Sequence, residues 1–483
     1  MLPLAAMGQE ITRSRFTADD VARFGERVRE ETELLAKLEA AGRVVERGGV
    51  GGLELEAWLV HPDGRPADLN EAFLERVALP TVVPELSRFN FEVNVAPQAL
   101  AGDGLARLGD ELSATLARCR DTARSLDADA LAIGILPTVT EADLRPEHMS
   151  RLKRYQALNR QVLAQREGRP LALEIVGRER LSTVHHDVML EAATTSLQAH
   201  LQVPASRAAR YFNAAALAAA PLVAACANSP LLFGKLLWEE TRVPLFEQAV
   251  AVGGYDAARG GPVRRVTFGS RYIASLGELF RENLEHYPPL LPEVDESAPT
   301  EALAHLRLHN GTVWRWIRPL VERNADGSYH YRIEQRVMPA GPTIADMLAN
   351  LAFCFGLWEG LAADDTGAPV GLPFTEARDN FYEAARLGLA ARLAWRDGRR
   401  LSAAALIRDQ LMPLAQFGLA RLGVERALGE RLLAVVDARV RSGRTGAAWQ
   451  REFYERHGRD AAALTRAYLE RQLDGRPVHE WSA

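Results

Sequence analysis

The chain has 483 residues, of which 47% are hydrophobic, and its 58 basic and 63 acidic side chains leave a net charge of −5. This balance is typical of a globular protein with a large core, and it excludes a general attraction to nucleic acid or to anionic lipid. Only three of the basic residues are lysines, Lys37, Lys153 and Lys235, and none of them has P-loop surroundings, which argues against a Walker-type nucleotide site.

The first 45 residues predict a helix, because Thr17 can cap it and Val21, Phe24 and Val28 recur at helical spacing. The N-terminal segment lacks the basic region and the apolar length of a signal peptide. The apolar stretch 214–226 is too short to span a bilayer. Three scattered cysteines in apolar context indicate a reducing compartment, so we expect a cytoplasmic protein without a membrane partner.

Five short stretches between residues 46 and 365 alternate apolar and polar side chains, the pattern of half-buried antiparallel strands. Gln335 is the one exception to the alternation in the last of them. The stretches are 53–60 (LELEAWLV), 89–97 (FNFEVNVAP), 196–203 (SLQAHLQV), 313–320 (VWRWIRPL) and 329–337 (YHYRIEQRV). Loops are predicted over 253–271 and 288–299, and the remainder from 366 to 483 has a helical pattern rich in arginine and alanine. These elements predict an α+β protein.

The polar faces of these strands carry the chemistry. Glu54 and Glu56 lie about 7 Å apart on one face of the first strand, from twice the rise per residue. A third carboxylate from a neighbouring strand would repel them unless a cation lay between, and such oxygen ligands suit Mg²⁺ or Mn²⁺. With Arg318 and Arg336 facing the same basin as phosphate clamps, the pattern favours phosphoryl transfer from a nucleotide. The alternative is an ordinary solvated sheet face.

Other polar residues have two interpretations each. His200 is either a ligand or a hydrogen-bonded core histidine, and Arg242 either binds substrate or pairs with Glu239 or Glu247 on its own helix. The run 185–187 (His-His-Asp) resembles a metal motif, but adjacent strand residues point apart, so we expect a loop before the third strand. Trp314 and Trp316 are expected in the core.

Several motifs together resemble the glutamate–cysteine ligase family 2, the carboxylate–amine ligases. The resemblance runs in chain order from about residue 48 to 360. Its motifs are Gly52-Leu53-Glu54-Leu55-Glu56 (GxExE), Glu92 in FEVNVAP, Gln198 and His200 in SLQAHLQV, Asn228-Ser229-Pro230, Arg242, Arg318 in VWRWIRP, and Glu334-Gln335-Arg336.

This resemblance implies the fold of glutamine synthetase and the guanidino kinases, a curved antiparallel sheet with helices on its outer face and ATP and divalent metal on its concave face. It also implies the reaction: ATP phosphorylates a carboxylate, classically the γ-carboxyl of glutamate, and an amine then displaces phosphate to form an amide. Residue by residue, it implies metal ligands at Glu54, Glu56, Glu92, His200 and Glu334, catalytic groups at Arg336 and Arg318, and substrate or nucleotide contacts at Gln198, Asn228 and Arg242.

The chain departs from the family pattern after the Glu334-Gln335-Arg336 motif, where residues 337–343 (VMPAGPT) lack the usual Asp. The amino acid and amine substrates therefore stay open, as does the oligomeric state, a homodimer included. We expect three parts: a helical segment 1–45, a catalytic domain 46–365 and a helical region 366–483. The alternatives are a phosphotransferase on the same fold and a catalytically inactive ligand-binding relative.

Overall fold

The computed structural model describes residues 10–482, apart from 253–254, 257–260, 263 and 364–370. Part of the predicted loop 253–271 and the predicted domain boundary at residue 365 therefore lie outside the described residues. The strands are β1 (Val50–Val60), β2 (Val82–Pro84), β3 (Asn90–Ala99), β4 (Asp129–Leu131), β5 (Leu171–Val176), β6 (Arg180–His185), β7 (Ser196–Val203), β8 (Leu231–Leu232), β9 (Lys235–Leu236), β10 (Tyr255–Asp256), β11 (Gly261–Pro262), β12 (Ile317–Arg323), β13 (Tyr329–Pro339), β14 (Arg392–Ala394) and β15 (Arg400–Ser402).

Helices lie between and after these strands. They are α1 (Ala18–Ala40), α2 (Asn70–Val77), α3 (Gly104–Arg124), α4 (Lys153–Gln165), α5 (Ala208–Cys226), α6 (Arg242–Ala249), α7 (Gly277–His286), α8 (Ala304–Gly311), α9 (Ile344–Ala362), α10 (Phe374–Leu387), α11 (Ala403–Leu406), α12 (Met412–Arg421), α13 (Arg426–Ser442), α14 (Gly446–Arg456) and α15 (Ala461–Asp474). The predicted cap of α1 is confirmed, since the Thr17 hydroxyl accepts from the Asp20 amide while the Asp20 carboxylate accepts from the Thr17 amide.

One curled antiparallel sheet organises the fold, with strand order β12–β13–β7–β1–β3–β2 and β4 paired to β1. All five predicted strands belong to this sheet, so the predicted fold class is confirmed. The period-two pattern identified them because successive side chains of a strand point to opposite faces. β13 carries an irregularity between Gln335 and Met338, and there the Gln335 side chain donates to the Ala215 carbonyl of α5, which explains its break in the alternation.

The outer face of the sheet packs on helices. Leu53, Leu55 and Ala57 of β1 are buried, and α5 and α9 lie in the same continuous hydrophobic core. Both helices are long and apolar enough to cross a membrane, α5 with its preceding turn, but 83% of each apolar window is buried within the protein. The apolar stretch 214–226, which is too short to span a bilayer, is thus part of the longer core helix α5.

The inner face of the sheet is also covered, so the prediction of half-buried strands is wrong for the strands nearest the site. Every residue of β7 is buried, including the polar Gln198, His200 and Gln202. The reason is that α4, α7 and α8 form a roof above this face and leave a cavity between roof and sheet. Alternation of side chains shows which face is polar, but it does not show whether another element covers that face.

The C-terminal region is helical as predicted, except for the hairpin β14–β15. Its turn contains Asp397 and Gly398, and Gly398 has a φ of +75°, the left-handed conformation that favours glycine. The described residues beyond 370 share the hydrophobic core of the sheet, through residues such as Phe381, Leu406 and Val436.

Arg439 of α13 links this region to α9 through a buried ion pair, and its loss is expected to destabilise the fold. Its guanidinium donates to Asp346 at 2.7 Å and to Asn350 at 2.6 Å, and all three side chains are buried. Arg439→Met leaves the Asp346 charge uncompensated, so we expect a loss of about 3–5 kcal/mol in the free energy of unfolding. Urea denaturation measures it. The exposed Arg431→Met on the same helix is the control, and equal losses in both variants would contradict the assignment.

Candidate functional site

A cavity of about 280 Å³ lies on the inner face of the sheet. Its floor is formed by residues of β1, β3, β7, β12 and β13, and its roof by residues of α4, α7 and α8. The predicted residues that line it are Glu54, Glu56, Glu92, Gln198, Arg318 and Arg336. The strand register explains this grouping, because directly opposite residues on adjacent strands share a face.

Glu56, Glu92 and Glu85 form the first carboxylate group, with one oxygen from each within 4.8 Å of the others. Glu56 of β1 stands directly opposite Glu92 of β3, and Glu85 follows β2. Burial and the neighbouring Glu56 raise the pKa of Glu85 to about 7. Burial and the carboxylates of Glu54 and Glu85 raise the pKa of Glu92 well above its ordinary value. Like charges at this spacing need a cation to stay ionised together.

Glu54, His200 and Glu334 form a second group with the same spacing. Glu334 of β13 stands opposite His200 of β7, and the Glu54 Oε1 atom lies 3.3 Å from the His200 Nε2 atom. Both ring nitrogens of His200 are buried without a hydrogen-bond partner. The Glu54 contact is a close approach and not an aligned hydrogen bond, so the imidazole keeps a nitrogen for a further partner such as a metal ion.

Two arginines surround Glu334. Arg318 donates to both carboxylate oxygens, with Nη2 at 2.9 Å from Oε1, and Arg336 donates through Nη1 at 2.8 Å. Burial opposes ionisation of Glu334, but the two guanidinium groups outweigh it and hold its pKa well below the ordinary value. A carboxylate has about four lone-pair sites, so Glu334 can still offer one to a cation.

A hydrogen-bonded chain connects the two carboxylate groups. Gln198 donates to Glu56 at 2.8 Å and accepts from Arg336 Nη1 at 2.6 Å, and Arg336 continues to Glu334. The Ser196 amide also donates to Glu56, at 2.7 Å. Burial disfavours the charge of Arg336, yet Glu334 and Glu56 raise its pKa above the ordinary value. Arg336 is therefore a fixed cation between the two groups.

The donor set of both groups fits hard divalent cations. Glu54, Glu56, Glu85 and Glu92 line the cavity, and His200 and Glu334 lie beside it in register with the lining residues of the sheet. Carboxylate oxygens are the ligands that Mg²⁺ and Mn²⁺ prefer. The residues that would hold metal are Glu56, Glu85 and Glu92 in one group and Glu54, His200 and Glu334 in the other. The nitrogens of His200, which make no aligned hydrogen bond to the described residues, support this use most directly.

Asn228 does not reach the cavity, so its predicted substrate contact needs correction. Its amide donates to the Ala340 carbonyl and to the Tyr468 hydroxyl, and its side-chain oxygen accepts from Gln450. Asn228 is fully buried and holds the turn after β13 against the C-terminal helices. Both the nitrogen and the oxygen of its side-chain amide are therefore engaged by other residues of the protein.

Arg242 is likewise placed behind the sheet residues and not in the cavity lining. It pairs with Glu240 at 3.2 Å, so the expected partners Glu239 and Glu247 are wrong. Its other amino group donates to the Arg336 carbonyl at 3.2 Å. Arg242 therefore supports the backbone of Arg336, and a contact with substrate would need that pairing to change.

Two further predictions concern motifs near the site. His185 ends β6, and residues 186 and 187 form the expected loop before β7. Trp316 is buried as predicted and donates to Glu247, whereas Trp314 lines the cavity. Trp314 is only partly buried, so it packs against the core as predicted on one side and lines the cavity on the other.

Among the cavity residues that the sequence did not reveal, four are Glu85 and residues that interact with it electrostatically. They are Glu85, Arg154, Tyr155 and Glu191. Glu85 follows a three-residue strand and Glu191 lies in a short 3₁₀ turn, so neither belongs to a periodic pattern. Burial and the neighbouring Glu85 raise the pKa of Glu191 well above its ordinary value. The sequence offers only one signal for Glu85, its position directly after an apolar run that ends in Pro84, and this signal is weak.

Neutralising one carboxylate is expected to stabilise the metal-free protein. A carboxyl with a raised folded-state pKa favours folding in its protonated form, so its stability contribution falls as pH rises from the unfolded value toward the folded one. For Glu85 that window runs from about pH 4.5 to about 7. We expect Glu92→Gln in EDTA to melt above the wild type at pH 8, with the difference shrinking toward pH 4. Mg²⁺ should raise the melting temperature of the wild type more than that of the variant. A lower melting temperature for Glu92→Gln at pH 8 would contradict this account.

Comparison with known proteins gives a family and a fold. The sequence profile of glutamate–cysteine ligase family 2 matches residues 50–468. A glutamate–cysteine ligase from Francisella tularensis, solved in complex with AMP, is 12% identical over 89% of this chain and 89% of its own, with a TM-score of 0.54. A bifunctional glutathione synthetase from Pasteurella multocida is 12% identical over 92% of this chain and 55% of its own, with a TM-score of 0.50. The sequence matches none of the curated proteins compared with it.

Proposed function

The chain belongs to glutamate–cysteine ligase family 2, and from this premise we propose that it is an ATP-dependent carboxylate–amine ligase acting through an acyl phosphate at a Mg²⁺ or Mn²⁺ site. The leading candidate for the acid is an amino acid, with the γ-carboxyl of glutamate as the reacting group. The nucleotide in the F. tularensis structure supports ATP as the co-substrate. The three described cysteines are buried and unpaired, which supports a place in the cytoplasm.

One observation carries the proposal: the hydrogen-bonded chain Glu56–Gln198–Arg336–Glu334 joins two carboxylate groups around a fixed cation. Phosphoryl transfer needs little covalent help from a protein but much positioning and charge neutralisation. Metal bound by the two groups would neutralise phosphate oxygens. Arg336 is held by two hydrogen bonds with its charge directed at the cavity, where it can contact the transferring phosphoryl group.

The reaction then proceeds in two displacements. A carboxylate oxygen of the acid attacks the γ-phosphorus of ATP, and the bond to the ADP oxygen breaks. The amine nitrogen attacks the resulting acyl carbon, the carbon–oxygen bond to phosphate breaks, and the amine loses a proton. Residues of α4, α7 and α8 cover part of the cavity, which would limit the access of water to the acyl phosphate between the two steps. Arg318 keeps Glu334 ionised throughout.

A screen of acid and amine pairs tests the proposal. Purified protein with ATP and Mg²⁺ is expected to release phosphate only when both an acid and an amine are present, with the amide identified by mass spectrometry. Phosphate release without amine consumption, or a phosphorylated product that survives, would instead indicate a phosphotransferase. Nucleotide binding by calorimetry without any turnover over the whole panel would indicate an inactive ligand-binding relative.

A further inference from the structure

Part of the cavity lining is apolar, and neither the metal groups nor the arginines explain it. We call this part the apolar compartment, and its residues are Leu158, Val250, Phe280, Leu291, Leu308 and Trp314. They come from α4, from the segment after α6, from α7 and α8, and from the connections beside them. Trp314 packs against Phe246, with ring centroids 6.4 Å apart, so two aromatic side chains form the wall at this point.

The polar side chains beside the apolar compartment are occupied within the protein. Asn310 donates to the Pro319 carbonyl at 2.8 Å and accepts from Asn283 at 2.9 Å. The Thr312 hydroxyl donates to the His309 carbonyl at 2.8 Å. A nucleobase is recognised by hydrogen bonds along its edge, and the side chains of Asn310 and Thr312 already form hydrogen bonds within the protein. The compartment therefore suits a hydrocarbon group better than a base.

The position of the compartment relates it to the first carboxylate group. Tyr155 and Leu158 lie one helical turn apart on α4, on the same side of the helix. The Tyr155 hydroxyl donates to the Pro84 carbonyl at 3.1 Å, directly before Glu85. At the C-terminal end of α4, Gln165 donates to the Pro289 carbonyl at 3.4 Å, two residues before Leu291 of the apolar compartment. This helix thus extends from the carboxylates to the apolar wall.

The proposed reaction fixes where the amine nitrogen lies. The acyl phosphate that it attacks would lie beside the two carboxylate groups and Arg336, which line the same cavity as the apolar compartment. A substituent on that nitrogen would then follow α4 toward the apolar compartment. A primary amine with a hydrocarbon substituent therefore matches both parts of the cavity lining at once.

We propose that the acceptor of this ligase is a primary amine that carries an alkyl or aryl group of several carbons, bound in the apolar compartment with its nitrogen toward the carboxylates. This inference rests on the proposed function for its catalytic consequence, but the binding site itself is independent of turnover. Burial of each methylene should raise kcat/KM about fourfold, which corresponds to about 0.8 kcal/mol, until the compartment is full.

A series of straight-chain amines from methylamine to hexylamine tests the proposal, with L-glutamate, ATP and Mg²⁺ fixed. We expect kcat/KM to rise at least tenfold from the shortest to the longest amine, and a flat or falling series overturns the inference while leaving the ligase function intact. Calorimetry of hexylammonium binding to the Mg²⁺- and nucleotide-loaded protein gives a second readout. Binding without any amide product would retain the compartment and refute the ligase function. Absence of both hexylammonium binding and amide product would overturn the inference.

Ala304 lines the cavity one helical turn before Leu308, on the same side of α8, and allows a more specific test of the compartment. Ala304→Leu fills part of the compartment, so the ratio of kcat/KM for hexylamine to that for methylamine should fall at least tenfold. Ala427→Leu, at an exposed position of α13, is the matched control and should keep the wild-type ratio. If Ala304→Leu instead raises the KM for ATP and leaves the chain-length dependence unchanged, the compartment binds the nucleobase and the inference is wrong.

Discussion

Glu54→Gln is expected to lower kcat at least a thousandfold while the protein stays folded. Glu54 lies beside His200 and belongs to the second carboxylate group, so the amide removes one anionic ligand and half of the charge that faces the imidazole. A single electrostatic contact of this kind in a closed site typically contributes about 10²–10³ in rate, and loss of metal adds to it. Steady-state phosphate release with saturating Mg²⁺ measures the effect.

Glu75→Gln, at an exposed position of α2, is the control for this variant and should retain wild-type activity. The melting temperature of metal-free Glu54→Gln should not fall, because Glu54 adds to the repulsion that raises the pKa of Glu92. Full activity of Glu54→Gln in Mg²⁺ and ATP would show that this group does not hold the catalytic metal.

Arg336→Lys should reduce kcat about 10²–10³-fold with a smaller change in the KM for ATP. Arg336 uses one amino group to reach both Gln198 and Glu334, which fixes the direction of its planar guanidinium. Lysine keeps the charge but offers a flexible point charge in place of the planar fork, so the positioned contact with the transferring group is lost.

Arg323→Lys provides the comparison for Arg336→Lys, since Arg323 lies exposed at the end of β12. Its activity should match the wild type. Equal activity of Arg336→Lys and wild type would contradict a role for Arg336 at the phosphoryl group, and a large increase in the KM for ATP alone would reassign it to ground-state binding.

The sheet and most of its polar face were predictable from the sequence because strand geometry imposes a period of two on the side chains. Glu54 and Glu56 are two residues apart, so they share a face whatever surrounds them. Cross-strand partners such as Glu56 with Glu92 depend on register, and here the apolar faces of both strands set it.

The missed features depend on contacts that leave no periodic pattern in the sequence. Glu85 joins the site through the pairing of a three-residue strand, which leaves no periodic trace. The sequence of the roof helices predicts helix, but it does not indicate that these helices cover the polar face of the sheet. Asn228 was placed in the site by the family motif, whereas its partners Gln450 and Tyr468 come from helices more than 200 residues away.

Transfer of oxygen from the acid to phosphate is the most direct test of the acyl-phosphate chemistry. L-glutamate labelled with ¹⁸O in its γ-carboxylate is incubated with protein, ATP, Mg²⁺ and an amine that gives amide product, and the released phosphate is analysed by mass spectrometry. The account predicts one ¹⁸O atom per phosphate, because the attacking carboxylate oxygen leaves with phosphorus when the amine displaces it. Phosphate free of ¹⁸O, formed in step with the amide, would contradict it.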